Sequence, residues 1–134
     1  MLFSQCHNSC SAAIVACEAT IDACQRFIDA CSSTVMQECA LERGRCVQAC
    51  SIGIDTCSAM MEQCQEYMNA TDDTASINLC QELMVKAQRY QDACAALLSC
   101  IENDREVAVD ACFECIQACN ECTSVIQTCI ETCK

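Results

Sequence analysis

The sequence predicts an all-α protein, an antiparallel up-down-up-down four-helix bundle with a cysteine-lined core. The 134 residues include no Pro and only two Gly, and aromatic residues make up 4% of the chain. This composition lacks turn-forming and strand-forming residues and is typical of helical proteins. Cysteines also recur every seven residues, at Cys10, Cys17, Cys24 and Cys31. Because seven residues make almost two helical turns, this repeat keeps the thiols on one helix face, where Leu, Ile or Val normally face a core.

The chain length predicts one domain, 1–134, built from four helices. The first helix is predicted over 3–31. Cys6 lies one turn before Cys10 on the cysteine face of this helix. An isoleucine follows each of the next three cysteines by one turn, at Ile14, Ile21 and Ile28. The helix therefore presents a stripe of sulfur flanked by aliphatic carbon toward the core.

The second helix is predicted over 35–69, with Thr34 as its N-cap and Gln37 completing a capping box. Its core face carries five cysteines: Cys39, Cys46, Cys50, Cys57 and Cys64. Gly53 lies on that face and, because glycine costs helix stability, it predicts a close backbone approach or room for another group. Arg43 lies on the same face, and we expect its side chain to extend outward to solvent.

The third helix is predicted over 73–102, with Asp72 or Asp73 as its N-cap. It has the fewest thiols, namely Cys80, Cys94 and Cys100. Aliphatic and aromatic residues fill out its core stripe, among them Leu83, Ala87, Tyr90 and Leu97. This helix is therefore expected to be the conventional hydrophobic member of the bundle.

The fourth helix is predicted over 105–133, capped by Asn103 or Asp104, with Glu106 at capping-box spacing from Asn103. Six of its seven core positions are thiols, and Ile126 is the seventh; the six are Cys112, Cys115, Cys119, Cys122, Cys129 and Cys133. The predicted turns are only a few residues long. Neighbouring helices are therefore expected to run antiparallel.

Nineteen cysteines are too many for ordinary packing, and their spacing disfavours a disulfide framework. Residues seven apart on a helix are separated by ~10 Å along its axis, whereas a disulfide needs Cα atoms within roughly 7 Å. Pairing between helices remains open, but it would leave stacked cysteines with competing partners. We therefore predict a metal–thiolate protein and take all nineteen cysteines as candidate ligands.

Thiolates select Cu(I), Zn(II) or iron–sulfur clusters. Zinc sites usually use paired Cys-x2-Cys knuckles between loops, and four thiolates around Zn(II) leave about two negative charges in a costly buried position. A Cu(I) ion that replaces one thiol proton leaves the charge unchanged. The pattern therefore favours multiple Cu(I) ions per chain, with zinc second. Iron–sulfur clusters, which need larger cavities and inorganic sulfide, rank third.

Two cysteine motifs resemble those of the bacterial copper storage proteins, and the similarity extends over the whole chain in length, helix number and thiol lining. The motifs are Cys112-x2-Cys115-x3-Cys119-x2-Cys122 for the last helix and Cys39-x6-Cys46-x3-Cys50 for the second. The resemblance implies a homotetramer of four-helix bundles, each storing many Cu(I) ions along its core without catalysing a reaction. The chain departs from the family in having a single His and no dense cysteine run in its third helix.

Three alternative functions stay open at this point. A zinc or general soft-metal buffer would have a metallothionein-like role. A thiol redox enzyme would need one accessible cysteine of low pKa with a resolving partner, and Cys112-x2-Cys115 has the right gap, but the many equivalent thiols and the lack of a single activating base disfavour it. A structural helical adaptor would keep its function when the core cysteines are replaced by Ala, Val or Leu.

The net charge of −12 excludes nucleic acid as a natural partner, because nucleic-acid affinity comes from cationic side chains. No stretch approaches the ~18 apolar residues of a membrane span. No basic segment followed by an apolar run is present near the start of the sequence. We therefore expect a cytoplasmic protein that binds no membrane, with an exported form whose leader has been removed as the alternative.

Antiparallel packing would gather possible copper-handover ligands at one end of the bundle. That group comprises Met1, Cys6, His7, Met61, Met68 and Cys133. Met60, facing inward beside Cys57 and Cys64, is the best candidate among the methionines. The simpler interpretation is that His7 is a solvated surface residue and that the methionines fill gaps in the packing.

Overall fold

A computed structural model describes residues 3–32 and 36–133, and it contains four helices and no strand among them. The helices are α1 (Phe3–Cys31), α2 (Met36–Ala70), α3 (Thr74–Cys100) and α4 (Arg105–Thr132). The all-α four-helix prediction is confirmed, with every helix end within two residues of its predicted position. Thr34, the expected cap of α2, lies outside the described residues. None of the described helices has an apolar stretch long enough to cross a membrane.

Aspartates cap α3 and α4. The Asp73 carboxylate accepts a hydrogen bond from the backbone N–H of Ala75 at 3.3 Å, and the Asp104 carboxylate accepts one from Glu106 N–H at 2.9 Å. Of the two caps predicted for α4, Asp104 is therefore correct. Asn103 instead donates its side-chain amide to a carbonyl of the preceding helix. Each cap satisfies N–H groups left without partners in the first turn, which stabilises a helix by about 1 kcal/mol.

Helix α1 packs against α2 and α4, and α3 packs against the same two helices. Thiol contacts join opposite ends of α1 and α2, as antiparallel neighbours require: Cys6 Sγ lies 3.3 Å from Cys64 Sγ, and Cys31 Sγ lies 3.8 Å from Cys39 Sγ. Among the described residues, no Cα atom of α1 lies within 8 Å of a Cα atom of α3. The same holds for α2 and α4. These helices therefore face each other across the core, where their side chains meet.

The core combines sulfur with a smaller set of carbon side chains. The largest fully buried side chains that are not cysteine include Phe27, Met60, Leu83, Leu97 and Ile126. The apolar stripe predicted for α3 is confirmed in part: Leu83, Ala87, Tyr90, Leu97 and Ile101 are buried, whereas its other members, Ile77, Met84 and Leu98, are half-buried. Full burial of a large apolar side chain contributes about 1.5–3 kcal/mol, so this set gives the bundle a source of stability that does not depend on metal.

Tyr90 crosses the core from α3 to α1. Its hydroxyl lies 2.7 Å from Thr20 Oγ1, and the Thr20 hydroxyl itself donates to the Ala16 carbonyl at 2.9 Å, so Tyr90 is the donor of the pair. Burial raises the pKa of Tyr90, which keeps this donor protonated. A Cβ atom at position 53 would overlap the Tyr90 hydroxyl and lie 2.9 Å from its Cζ. Of the two roles predicted for Gly53, the second is therefore correct: it leaves room for another group, the side chain of Tyr90.

We expect Thr20→Val to destabilise the fold by about 2 kcal/mol, because it leaves the buried Tyr90 hydroxyl without an acceptor. Tyr90→Phe should cost less, since Thr20 keeps its bond to the Ala16 carbonyl. The double variant should cost less than the sum of the two single changes. Urea unfolding of the four proteins under reducing conditions measures this coupling. Additive effects would mean that the hydroxyl pair contributes nothing specific.

Candidate metal centre

The cysteines form the lining of the bundle core. All nineteen are free thiols, and only Cys31 and Cys100 are half-buried, whereas the others are buried. The nearest sulfur atoms lie 3.3–4.0 Å apart, close enough for S–H hydrogen bonds but well beyond the ~2.05 Å of a disulfide. The predicted thiol lining is therefore present, with the sulfurs concentrated inside the bundle.

Nine of these thiols form three buried groups of three. In each group all sulfur atoms lie within 4.8 Å of one another; we name them trio A (Cys6, Cys10, Cys64), trio B (Cys24, Cys46, Cys112) and trio C (Cys50, Cys94, Cys115). Three sulfurs bound at about 2.3 Å around one trigonal ion would lie about 4.0 Å apart. Each trio can therefore hold a soft metal ion after only a small inward movement.

Each trio draws its sulfurs from more than one helix. Trio A uses α1 and α2, trio B uses α1, α2 and α4, and trio C uses α2, α3 and α4. Among the described residues, no fourth His, Cys, Asp or Glu ligand atom joins any trio at the same mutual distance. The axial positions of the helices relative to one another therefore create sites with three sulfur donors and no oxygen or nitrogen donor.

The remaining thiols connect these groups into a network. Cys80 extends trio A, because it lies near Cys129, near Cys64 of that trio and near Cys133, and these three thiols lower its pKa. Trios B and C adjoin each other, because Cys24 of trio B also contacts Cys50 and Cys115 of trio C. A further set lies around Cys17, whose neighbours are Cys119 and Cys122, and Cys122 in turn contacts Cys57. The bundle thus carries sulfur along most of its length, in sets close enough for shared, bridging ligands.

Hydrogen bonding between thiols favours a negative charge on selected sulfurs. Hydrogen bonds from Cys10 and Cys64 lower the pKa of Cys6 to about 4, and the hydrogen bond with Cys6 raises the pKa of Cys10. In trio C, hydrogen bonds from Cys24, Cys50 and Cys94 lower the pKa of Cys115. A trio can therefore hold one thiolate that accepts S–H bonds from its neighbours. A bound cation would displace the protons of those neighbours.

Partners on other helices decide which sulfurs meet, and sequence spacing alone missed them. Cysteines four residues apart lie one turn apart on a helix face, and such a pair could clasp one ion. Cys6 and Cys10 do share a trio, with sulfurs 4.0 Å apart. Cys46 and Cys50 instead belong to two different trios. Cys100 donates to the Leu97 carbonyl at 3.5 Å and shares no hydrogen bond with a sulfur of the described residues.

Arg43 does not extend into solvent as expected. It is half-buried, its Nη2 lies 3.9 Å from Cys39 Sγ, and its buried Nε has no hydrogen-bond partner among the described residues. Burial and the hydrogen bond with Cys39 raise the pKa of Cys31 to about 11. A guanidinium thus adjoins the Cys31–Cys39 pair, which we call the terminal pair.

The opposite end of the bundle is closed by aromatic rings. Phe3 and Tyr67 are buried and meet edge to face, with centroids 4.9 Å apart. His7 is exposed, Met61 and Met68 are half-buried, and Met60 is fully buried. Met1 lies outside the described residues. Histidine and methionine are therefore near this end as expected, but the first thiols of trio A lie behind a ring pair.

No family model, no curated protein and no solved structure matches this chain. What the centre can bind therefore follows from its own donors, which are buried sulfurs in threes with no carboxylate or imidazole among them.

Proposed function

We propose that this protein stores or sequesters Cu(I), with multiple ions per chain held by the core thiolates, and that it is not an enzyme. The observation that carries this proposal is the set of three-sulfur trios that lack a fourth ligand. Soft thiolate donors suit Cu(I), which accepts two or three of them, whereas structural Zn(II) sites are almost always four-coordinate. The resemblance to copper storage proteins adds a homotetramer to the proposal. The free thiols add a cytoplasmic location, because that compartment keeps thiols reduced.

Charge gives the second argument. A buried site with excess thiolates carries uncompensated negative charge, which is costly inside a protein. Sulfurs that bridge two ions allow a ratio of one Cu(I) per thiolate, at which the core is neutral. The contacts that link trio B to trio C through Cys24, and trio A to Cys80, bring the sulfurs close enough for such bridging.

One observation favours the alternative, a zinc or general soft-metal buffer with a metallothionein-like role. Cys24 lies near four other thiols that raise its pKa, namely Cys112, Cys115, Cys46 and Cys50. Four of these five sulfurs could rearrange around one Zn(II) ion. The two candidates therefore differ in stoichiometry and in metal preference.

Anaerobic titration of the fully reduced protein with Cu(I), followed by competition with a strong Cu(I) chelator and with Zn(II), tests the proposal. We expect saturation near one Cu(I) per thiol, because bridging thiolates at that ratio leave the core neutral, and we expect no displacement by Zn(II). Saturation near one ion per four thiols, with Zn(II) preferred, would establish the alternative.

A matched variant separates storage from catalysis within the same titration. Replacing trio C by serine (C50S/C94S/C115S) should lower the Cu(I) capacity in proportion to the thiols removed. Abolition of metal binding by any single cysteine change would contradict a distributed store. Circular dichroism of each reduced variant establishes that the helices are retained.

A further inference from the structure

The two half-buried cysteines lie at the same end of the bundle. Cys31 ends α1 and Cys100 ends α3. The start of α2 is at this end because Cys39 Sγ lies 3.8 Å from Cys31 Sγ, and the start of α4 is there because Arg105 donates to the Cys31 carbonyl at 3.4 Å. Solvent-accessible sulfur is therefore found at the end opposite His7.

A surface groove of about 470 Å3 leads to Cys31. Its lining combines the thiol with one hydroxyl, one cation, two carboxylates and two aliphatic side chains: Ile28, Cys31, Ser32, Arg105, Glu106, Val109 and Asp110. Small-molecule sites typically measure about 300–1,000 Å3, so the groove has the size for a small ligand rather than a protein. The grooves between α1 and α2 and between α3 and α4 carry no cysteine.

The terminal pair has the spacing of a two-coordinate site. Two sulfurs bound linearly at about 2.3 Å from one ion would lie about 4.6 Å apart, so the pair at 3.8 Å needs only a slight opening. Cys24 and Cys46 of trio B each lie seven residues further into the bundle from Cys31 and Cys39 respectively. That spacing is ~10 Å along the axis, so trio B is the next set of sulfurs inward.

Cations surround the terminal pair. Arg43 Nη2 lies 3.9 Å from Cys39 Sγ, Arg105 lies against the Cys31 carbonyl, and neither arginine forms an ion pair with a carboxylate of the described residues. A Cu(I) ion bound by two thiolates carries one negative charge. The two guanidinium groups offset that negative charge. At the terminal pair the charge is not yet neutralised by thiolates that bridge to further Cu(I) ions.

We propose that the terminal pair is the docking site at which Cu(I) is received from its complex with two molecules of a small thiol, one of them lying in the Arg105 groove, and passed inward to trio B. This inference rests on the proposed copper-storage function. The lining of the groove, with Arg105 beside Glu106 and Asp110, fits a thiol that carries both carboxylate and ammonium groups.

The transfer is a ligand exchange without oxidation or reduction. The Cys31 and Cys39 sulfurs each form a bond to Cu(I) while the two bonds from Cu(I) to the donor's sulfurs break. Each protein thiol loses its proton, and the departing donor thiolates take up those two protons. Copper stays Cu(I) throughout, and charge is balanced at every exchange.

Uptake of Cu(I) from a complex with reduced glutathione, followed anaerobically by rapid gel filtration and metal analysis, tests this site. We expect C31S/C39S to take up Cu(I) about tenfold more slowly than the wild type, within the range over which association rates vary among variants of one interface. Ser32→Trp, which fills the groove and removes no ligand, should slow uptake similarly and keep the full capacity. Gln117→Trp, an exposed position in the groove between α3 and α4, should match the wild-type rate.

Wild-type uptake rates in both Ser32→Trp and C31S/C39S would overturn the docking site. If C31S/C39S loses its helices, Ser32→Trp decides the question alone. Failure of the storage function itself would be detected separately, in the equilibrium titration of the wild type. There it would appear as poor Cu(I) binding or a preference for Zn(II), and uptake rates do not affect that result.

Discussion

Loading the fully reduced protein with Cu(I) should raise its free energy of unfolding by about 8 kcal/mol through the three trios alone. A ligand at about 100 times its Kd stabilises the folded state by about 2.7 kcal/mol per site, provided that it does not bind the unfolded chain equally well. The trios bring together residues as far apart as Cys24 and Cys112, or Cys6 and Cys64. The unfolded chain does not hold these sulfurs in place, so the preference for the folded state is large.

The metal-free protein should nevertheless remain helical. The buried carbon side chains of the core, such as Leu83, Leu97 and Ile126, and the aspartate caps of α3 and α4 do not depend on metal. Anaerobic thermal unfolding of metal-free and Cu(I)-loaded protein, followed by circular dichroism, measures both expectations. Loss of helicity when a chelator removes the metal would contradict a preformed thiol lining.

The trio C variant (C50S/C94S/C115S) is the matched control for this stabilisation. It should lose about 2.7 kcal/mol of the gain on loading, the share of one site. Its metal-free form should be compared with metal-free wild type, so that any direct effect of the serines on the fold is subtracted. An undiminished gain would show that copper stabilises the protein through sulfurs other than trio C.

Helical periodicity was sufficient to predict the fold. The seven-residue spacing of Cys10, Cys17 and Cys24 places all three sulfurs in the core, and turn chemistry narrowed each N-cap of α3 and α4 to two residues, of which Asp73 and Asp104 are the caps. Both signals are local: a helix face and a cap depend on residues a few positions apart. The same local reasoning offered room for another group as one of two roles for Gly53, although it could not name Tyr90 as that group.

Membership of the trios could not be predicted in the same way. Which sulfurs form a trio depends on the axial register between helices, and a shift of α2 by one turn would put Cys50 in the place of Cys46 in trio B. Arg43 is a different case, because its contact with Cys39 joins residues one turn apart on α2 and is local, whereas its position on the cysteine face had suggested a side chain reaching solvent. Local periodicity specifies a face of each helix, and packing specifies the site.

Gly53→Ala should lower the free energy of unfolding by about 3 kcal/mol. The added methyl group would overlap the Tyr90 hydroxyl, and overpacking of a core costs about 1–3 kcal/mol. Displacement of Tyr90 would also break its bond to Thr20, worth about 1 kcal/mol, which outweighs the helix propensity that alanine adds. Urea unfolding of the reduced, metal-free protein measures the change.

Gly44→Ala is the matched control, because it makes the same substitution in the same helix at an exposed position with no atom within 4 Å of the new Cβ. It should stabilise the protein by about 0.4–1 kcal/mol through the lower entropy of the unfolded chain. The two variants should therefore move in opposite directions. If Gly53→Ala were as stabilising as Gly44→Ala, Tyr90 could not be packed against α2. Adding Tyr90→Phe to Gly53→Ala should recover part of the loss, because the overlapping hydroxyl is then absent.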